Sequence, residues 1–182
     1  FRKAKARLFE FDALLNFFAN SAFVEVRFMI RNPRAARHRG GLWDLGDPAS
    51  TFFNELCLEF PLEGFTQLEW SPSPGAPYET QRLGSFEIYQ DSSGGENWNS
   101  RNHGDRFGVI TPRFRGYRLA SNGRSAGGER ALPIVLVHDS ETGMSAAVES
   151  FWQNFPKAIE ADARALRVGI FPRQCGRDFE LQ

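Results

Sequence analysis

The 182-residue sequence predicts an all-β fold: an antiparallel β-sandwich with long loops and at most one short helix. Three observations point there. Apolar and polar residues alternate with a period of two over much of the chain. Gly, Pro, Asn, Asp and Ser clusters punctuate these runs as turns do. Phe occurs 18 times, and its ring suits a pleated, half-buried surface. About nine or ten strands with almost no helical periodicity leave a sandwich as the architecture that buries their apolar faces. Residues 1–182 read as a single domain of this kind.

The elements follow in order. Ala4, Ala6 and Leu8 alternate with Lys5 and Arg7, and Leu14 to Phe18 reads as a further strand. Ala19-Asn20-Ser21 turns the chain into a strand where Val24, Val26, Phe28 and Ile30 share one face. Asn32-Pro33 stops it. A long loop, Arg31 to Pro48, leads to a strand with Phe52, Leu56, Leu58 and Phe60 on one parity. Pro61 ends that strand, Glu63-Gly64 turns, and Phe65 to Trp70 returns. The prolines of Ser71 to Pro77 lack backbone donors, so this segment reads as a surface loop. Ser85 to Gln90 is a strand, Asp91 to Gly108 a long polar stretch, Phe114 to Leu119 a strand, and Ala120 to Gly128 a loop. Leu132, Ile134 and Leu136 open another strand. Asp139 to Gly143 turns, and Ser145 to Phe155 reads as a strand with residues on alternate faces. Pro156 to Ala165 alone has helix-forming composition, and Leu166, Val168 and Ile170 mark the last strand.

Composition narrows the function classes. Twenty-two basic residues balance twenty-two acidic ones, so there is no basic field to hold nucleic acid or an anionic membrane. No apolar run reaches spanning length. Cys57 and Cys175 have no zinc-site spacing and read as structural thiols, with a single disulfide as the alternative. His38, His103 and His138 show no paired spacing that would hold zinc. No Gly-x-Ser-x-Gly elbow, phosphate-binding loop or dinucleotide fingerprint follows a strand. The chain opens on Phe1 and enters strand-like sequence at once, which reads as a piece of a longer, multidomain protein.

Three stretches carry residues able to do chemistry. Arg37, His38, Trp43, Asp44 and Asp47 crowd the long loop. An Arg–Asp pair there suits charge-assisted bonds, and Trp43 is either a sugar platform or a core plug. Loops of this length are uncommon in compact domains. The second stretch, Gln90 to His103, holds Asp91, Glu96, Trp98, Arg101 and His103 among amides and hydroxyls. Carboxylates and amides bond sugar hydroxyls in pairs, and an indole stacks on a sugar's C–H face. Asp91, Ser93 and Glu96 also offer oxygens of the kind Ca²⁺ takes, without the EF-hand spacing, so no cofactor or metal is assigned. The third is Phe151-Trp152-Gln153-Asn154-Phe155-Pro156, expected as a core strand with rings on both faces.

Four blocks in the same order carry a resemblance: Asn32 to His38, Gly41 to Pro48, Gln90 to Glu96, and Phe151 to Pro156. With them the chain, from about Arg2 to Pro172, resembles the central β-sandwich domain of the exo-rhamnogalacturonan lyase and YetA-like family. The resemblance implies a module beside neighbouring domains of the same polypeptide, in a protein associated with β-elimination of a pectin backbone. Such chemistry needs a base at the C5 proton and a cation for the enolate-like charge. The types present are His38, His103 and Tyr117 as base, and Arg37, Arg101, Arg113 and Arg115 as cation. No motif here marks catalytic residues, so the expectation is an accessory domain that shapes a glycan cleft and is inactive alone. Its expected contacts to pectin-type oligosaccharide are Trp98, Arg101, His103, Asp91, Glu96, Trp43, Asp44, Arg37 and His38. A self-contained carbohydrate-binding module and a purely structural spacer are the alternatives.

Overall fold

The computed structural model describes residues 8–35, 37 and 45–182. Its strands are β1 (Glu10–Phe17), β2 (Val24–Arg31), β3 (Thr51–Phe53), β4 (Leu56–Pro61), β5 (Gln67–Ser71), β6 (Glu79–Arg82), β7 (Phe86–Gln90), β8 (Tyr117–Ser121), β9 (Arg124–Gly128), β10 (Ile134–His138), β11 (Gly143–Ala147), β12 (Lys157–Ala161), β13 (Ala165–Phe171) and β14 (Phe179–Leu181). Every pairing is antiparallel. The described residues hold no α-helix, only 3-10 turns at Arg101–His103 and Arg173–Cys175. Among the described residues no helix is long and apolar enough to cross a membrane. The all-β expectation holds.

The chain divides into two compact units, Phe1–Phe53 with Phe179–Gln182, and Asn54–Asp178. The sandwich belongs to the second. Its four-stranded sheet has the order β11-β10-β5-β6, and its six-stranded sheet β4-β13-β12-β7-β8-β9. Alternation aims Leu68 and Trp70 of β5 and Val135 and Val137 of β10 inward. They meet Phe86 and Ile88 of β7, Leu119 of β8, Ile159 of β12 and Leu166 of β13 in one core. The Trp70 and Phe86 rings, one from each sheet, lie 5.3 Å apart and tilted by 50°.

In the first unit β1 and β2 form a two-stranded ribbon, and β3 pairs with β14. The end of the long loop is held by polar side chains. Asp47 is buried, and its carboxylate accepts from the backbone N–H groups of Ala49 (2.8 Å) and Arg37 (2.9 Å). Asn32 donates to the carbonyls of Ala49 (2.7 Å) and Leu181 (3.0 Å), tying the β2 exit to the β3–β14 pair.

Several expectations need correction. Pro156 to Ala165 forms no helix: Lys157–Ala161 is β12, hydrogen-bonded on both sides within the six-stranded sheet. Pairing and burial of Ile159 override a weak local preference. Ser145 to Phe155 is not one strand. β11 ends at Ala147, and the chain turns through Phe151 to Asn154, with Ser150 at φ 54° and a cis Phe155–Pro156 bond. Phe52 to Phe60 is two strands, β3 and β4. Ala120 to Gly128 is no loop: Asn122 and Gly123 turn the chain between β8 and β9. β6 and β14 carry no clear alternation in sequence.

Candidate functional site

The polar stretch after β7 divides into a buried half and an exposed half. Gln90 is fully buried, and its amide donates to the carbonyls of Ser92 (2.6 Å) and Glu129 (2.9 Å). Its oxygen accepts from the Ala131 N–H at 3.0 Å. Asp91 is buried beside it. Its carboxylate accepts the Tyr89 hydroxyl (2.6 Å) and the backbone N–H groups of Phe114 (3.0 Å) and Arg113. Burial, reinforced by the Asp91 carboxylate, pushes the Tyr89 hydroxyl far above the usual phenol range. Ser92 Oγ accepts from the Gly116 N–H at 2.8 Å. A loop folded into the protein must satisfy its backbone groups, and these three side chains do so. Asp91 therefore holds the loop and is turned away from solvent.

The second half faces outward. Glu96 is exposed, Trp98 is half-buried in a turn, and Arg101 is exposed on the first 3-10 turn. Ser100 caps that turn, accepting from the Asn102 N–H at 3.4 Å. His103 is half-buried, with its ring edge-on to Phe155 at 5.2 Å. A second contact closes the same loop on the turn before β12. Arg130 donates to the Ser93 carbonyl (3.3 Å), and its guanidinium lies over the Trp152 ring at 4.4 Å. Gly94 makes this approach possible: at φ 72°, a Cβ there would stand 2.0 Å from the Glu129 carbonyl oxygen. Arg115 adds a bond from Nε to the Gly94 carbonyl at 2.8 Å and an ion pair to Glu129 at 2.6 Å.

Lys157 completes the group, donating to the carbonyls of Asn154 (2.6 Å) and Pro156 (3.1 Å). Burial lowers its ammonium to a pKa of about 8. The loop and the turn thus bring together His103 and Phe155, and Arg130, from the segment between β9 and β10, bridges Ser93 of the loop and Trp152 of the turn; Trp98 and Arg101 lie on the loop, and Lys157 opens β12. Flat rings and fixed guanidinium groups suit a ligand with a C–H face and carboxylate or hydroxyl oxygens.

The remaining sequence candidates fall elsewhere or are engaged in other bonds. Arg37 lines a cleft of about 450 Å³ in the first unit with Arg34, Ala35, Pro48 and Ala49. His38, Trp43 and Asp44 lie outside the described residues. Tyr117 lies at the start of β8, its hydroxyl pushed up by burial, which makes it a poorer base at neutral pH. Arg113 donates to the Gln174 carbonyl, and Arg115 to Gly94 and Glu129. Asp91 is enclosed, Ser93 Oγ accepts from the Gly95 N–H (3.3 Å), and Glu96 is exposed, so the three do not converge as Ca²⁺ ligands. Among the described residues no group of three or more His, Cys, Asp or Glu is gathered for a metal. Cys57 and Cys175 are both free thiols, pushed up in pKa chiefly by burial, so the disulfide alternative falls away.

Arg130 and Lys157 were not legible as site residues. Arg130 lies 22 positions before its partner Trp152, and no local spacing connects them. The chain matches no protein-family model, no curated protein and no solved structure.

Proposed function

We propose that the sandwich is an accessory domain of a carbohydrate-active protein, contacting an acidic, pectin-type glycan through the loop cluster after β7 and before β12. The observation that carries this reading is the double closure of that cluster, Arg130 on Trp152 and His103 on Phe155. It holds aromatic and cationic groups in place before a ligand arrives, which lowers the ordering cost of binding. Trp98 and Trp152 serve as platforms for sugar rings, and Arg101 meets a uronate carboxylate at the exposed 3-10 turn. The accessory role is favoured over a lyase centre because Arg113, Arg115 and Tyr117 are engaged elsewhere or buried, leaving His103 and Arg101 without a completed acid–base set among the described residues.

The test is a titration of the chain with rhamnogalacturonan oligosaccharides, followed by tryptophan fluorescence, with neutral xylan oligosaccharides as comparators. Saturable quenching by the acidic glycan is expected, weakened about tenfold or more by Trp152→Ala and by Trp98→Ala. Release of unsaturated product by this chain would replace the accessory role with a catalytic one. Absence of binding by any acidic glycan would leave a structural spacer.

A further inference from the structure

We propose that two copies of this chain pair through the apolar face of the β1–β2 ribbon. The register sets Phe11 opposite Ile30, Ala13 opposite Phe28, Leu15 opposite Val26, and Phe17 opposite Val24. Side chains alternate between faces along a strand, so these eight apolar residues share one face. The other face carries Glu10, Asp12, Asn16, Glu25, Arg27 and Arg31, with Leu14 and Met29 among them. Arg31 pairs across the ribbon with Asp12 at 3.0 Å and Glu10 at 3.6 Å, Asn16 donates across it to Glu25 at 2.7 Å, and Arg27 pairs along β2 with Glu25 at 2.9 Å. The polar face is self-contained: its charges are paired, and Leu14 and Met29 are the only large apolar side chains exposed on it.

The apolar face is not. Phe17 is 75 % exposed, Phe11 64 % and Leu15 50 %, with Val24 and Val26 also exposed. Phe11 and Phe28 stack at 5.6 Å, so the surface is ordered in advance. A two-stranded ribbon is marginal in water without a packed face, and a contiguous apolar patch of this size marks an interface.

Area and composition point to a second copy as the occupant. Five large side chains among the eight are more than a third exposed, and burying this face in both copies is on the order of the 1,200 Å² at which specific protein interfaces begin. The face has no charge to match a polar partner. A face that is apolar along its whole length is complementary to a second copy of itself. A two-fold axis sets the same face of each copy against the other. The two ribbons then stack about 10 Å apart as a small two-layer sheet.

Sedimentation velocity on the whole chain, from micromolar to hundreds of micromolar, tests this. The expected mass rises with concentration from 20.6 kDa to twice that value. Leu15→Glu is expected to weaken pairing at least about tenfold, whereas Leu14→Glu, on the other face and opposite Arg27, leaves it intact. Because Leu15→Glu can disturb the ribbon itself, amide exchange of the wild type is the second measurement. Protection of Phe11–Phe17 and Val24–Ile30 should rise with protein concentration. A monomer at every concentration, a dimer indifferent to Leu15→Glu, or ribbon protection independent of concentration overturns the proposal.

Discussion

Gln90 illustrates how an amide at the start of the stretch read for glycan chemistry serves the structure instead. Its amide makes three hydrogen bonds in a fully buried position. Gln90→Leu leaves the Ser92 and Glu129 carbonyls and the Ala131 N–H without that partner. A loss of about 2–4 kcal/mol in unfolding free energy is expected, read from urea denaturation. Lys157 gives a pH signature. Its folded pKa, about 8, lies below the ordinary 10.5, so the unfolded chain binds the extra proton between those values. Stability owed to Lys157 therefore rises as pH climbs from about 8 to 10.5. Against Lys157→Met, which removes the titration, the wild type should gain about 1–2 kcal/mol over that window, after allowance for solvent screening. Denaturation midpoints of the two proteins at several pH values check it; a constant difference would contradict the buried ammonium. At this scale residue type was legible but orientation was not. Asp91 and Glu96 read alike in sequence, yet one is enclosed by backbone donors and the other exposed.

Elements with strong alternation were read correctly, and those with short or mixed patterns were not. β2 and β7 carry the period of two and appear where expected, whereas β10, Ile-Val-Leu-Val-His, is apolar on both faces and buries Val135 and Val137 more deeply than Ile134 and Leu136. β12 has the helix-forming run Lys-Ala-Ile-Glu-Ala, and only its pairing with β7 and β13 makes it a strand. β9 is Arg-Ser-Ala-Gly-Gly, with no apolar face to announce it. It exists because Asn122 and Gly123, at φ 43° and 82°, turn the chain as a hairpin with two left-handed positions requires. Gly123→Ala places a Cβ in that left-handed conformation and is expected to cost about 1 kcal/mol. The position is open around the missing Cβ, so the loss is conformational and not steric. Amide exchange should show it as faster opening of β9, with β12 unchanged.

For the whole molecule, the two units carry different surfaces. The sandwich presents a loop cluster rich in rings and cations, and the smaller unit presents an apolar ribbon. The glycan titration and the sedimentation experiment address these separately. Trp152→Ala should weaken glycan binding and leave pairing unchanged, while Leu15→Glu should do the reverse. A common loss in both variants would point instead to general unfolding, which a denaturation curve identifies.

The sequence by itself determined the fold class, the strongest strands, the near-zero net charge and which loops are polar enough to be surface features. All of these are local or compositional properties, set by the two-residue period and by turn chemistry. Tertiary structure alone decided which polar residues turn inward at Gln90 to Ser92, which distant segments meet at Arg130 and Trp152, and that the alternating face of β1 and β2 stays uncovered. Alternation states only that one face is apolar. Whether that face is buried depends on what packs against it, and that is a property of the assembled chain and its partners.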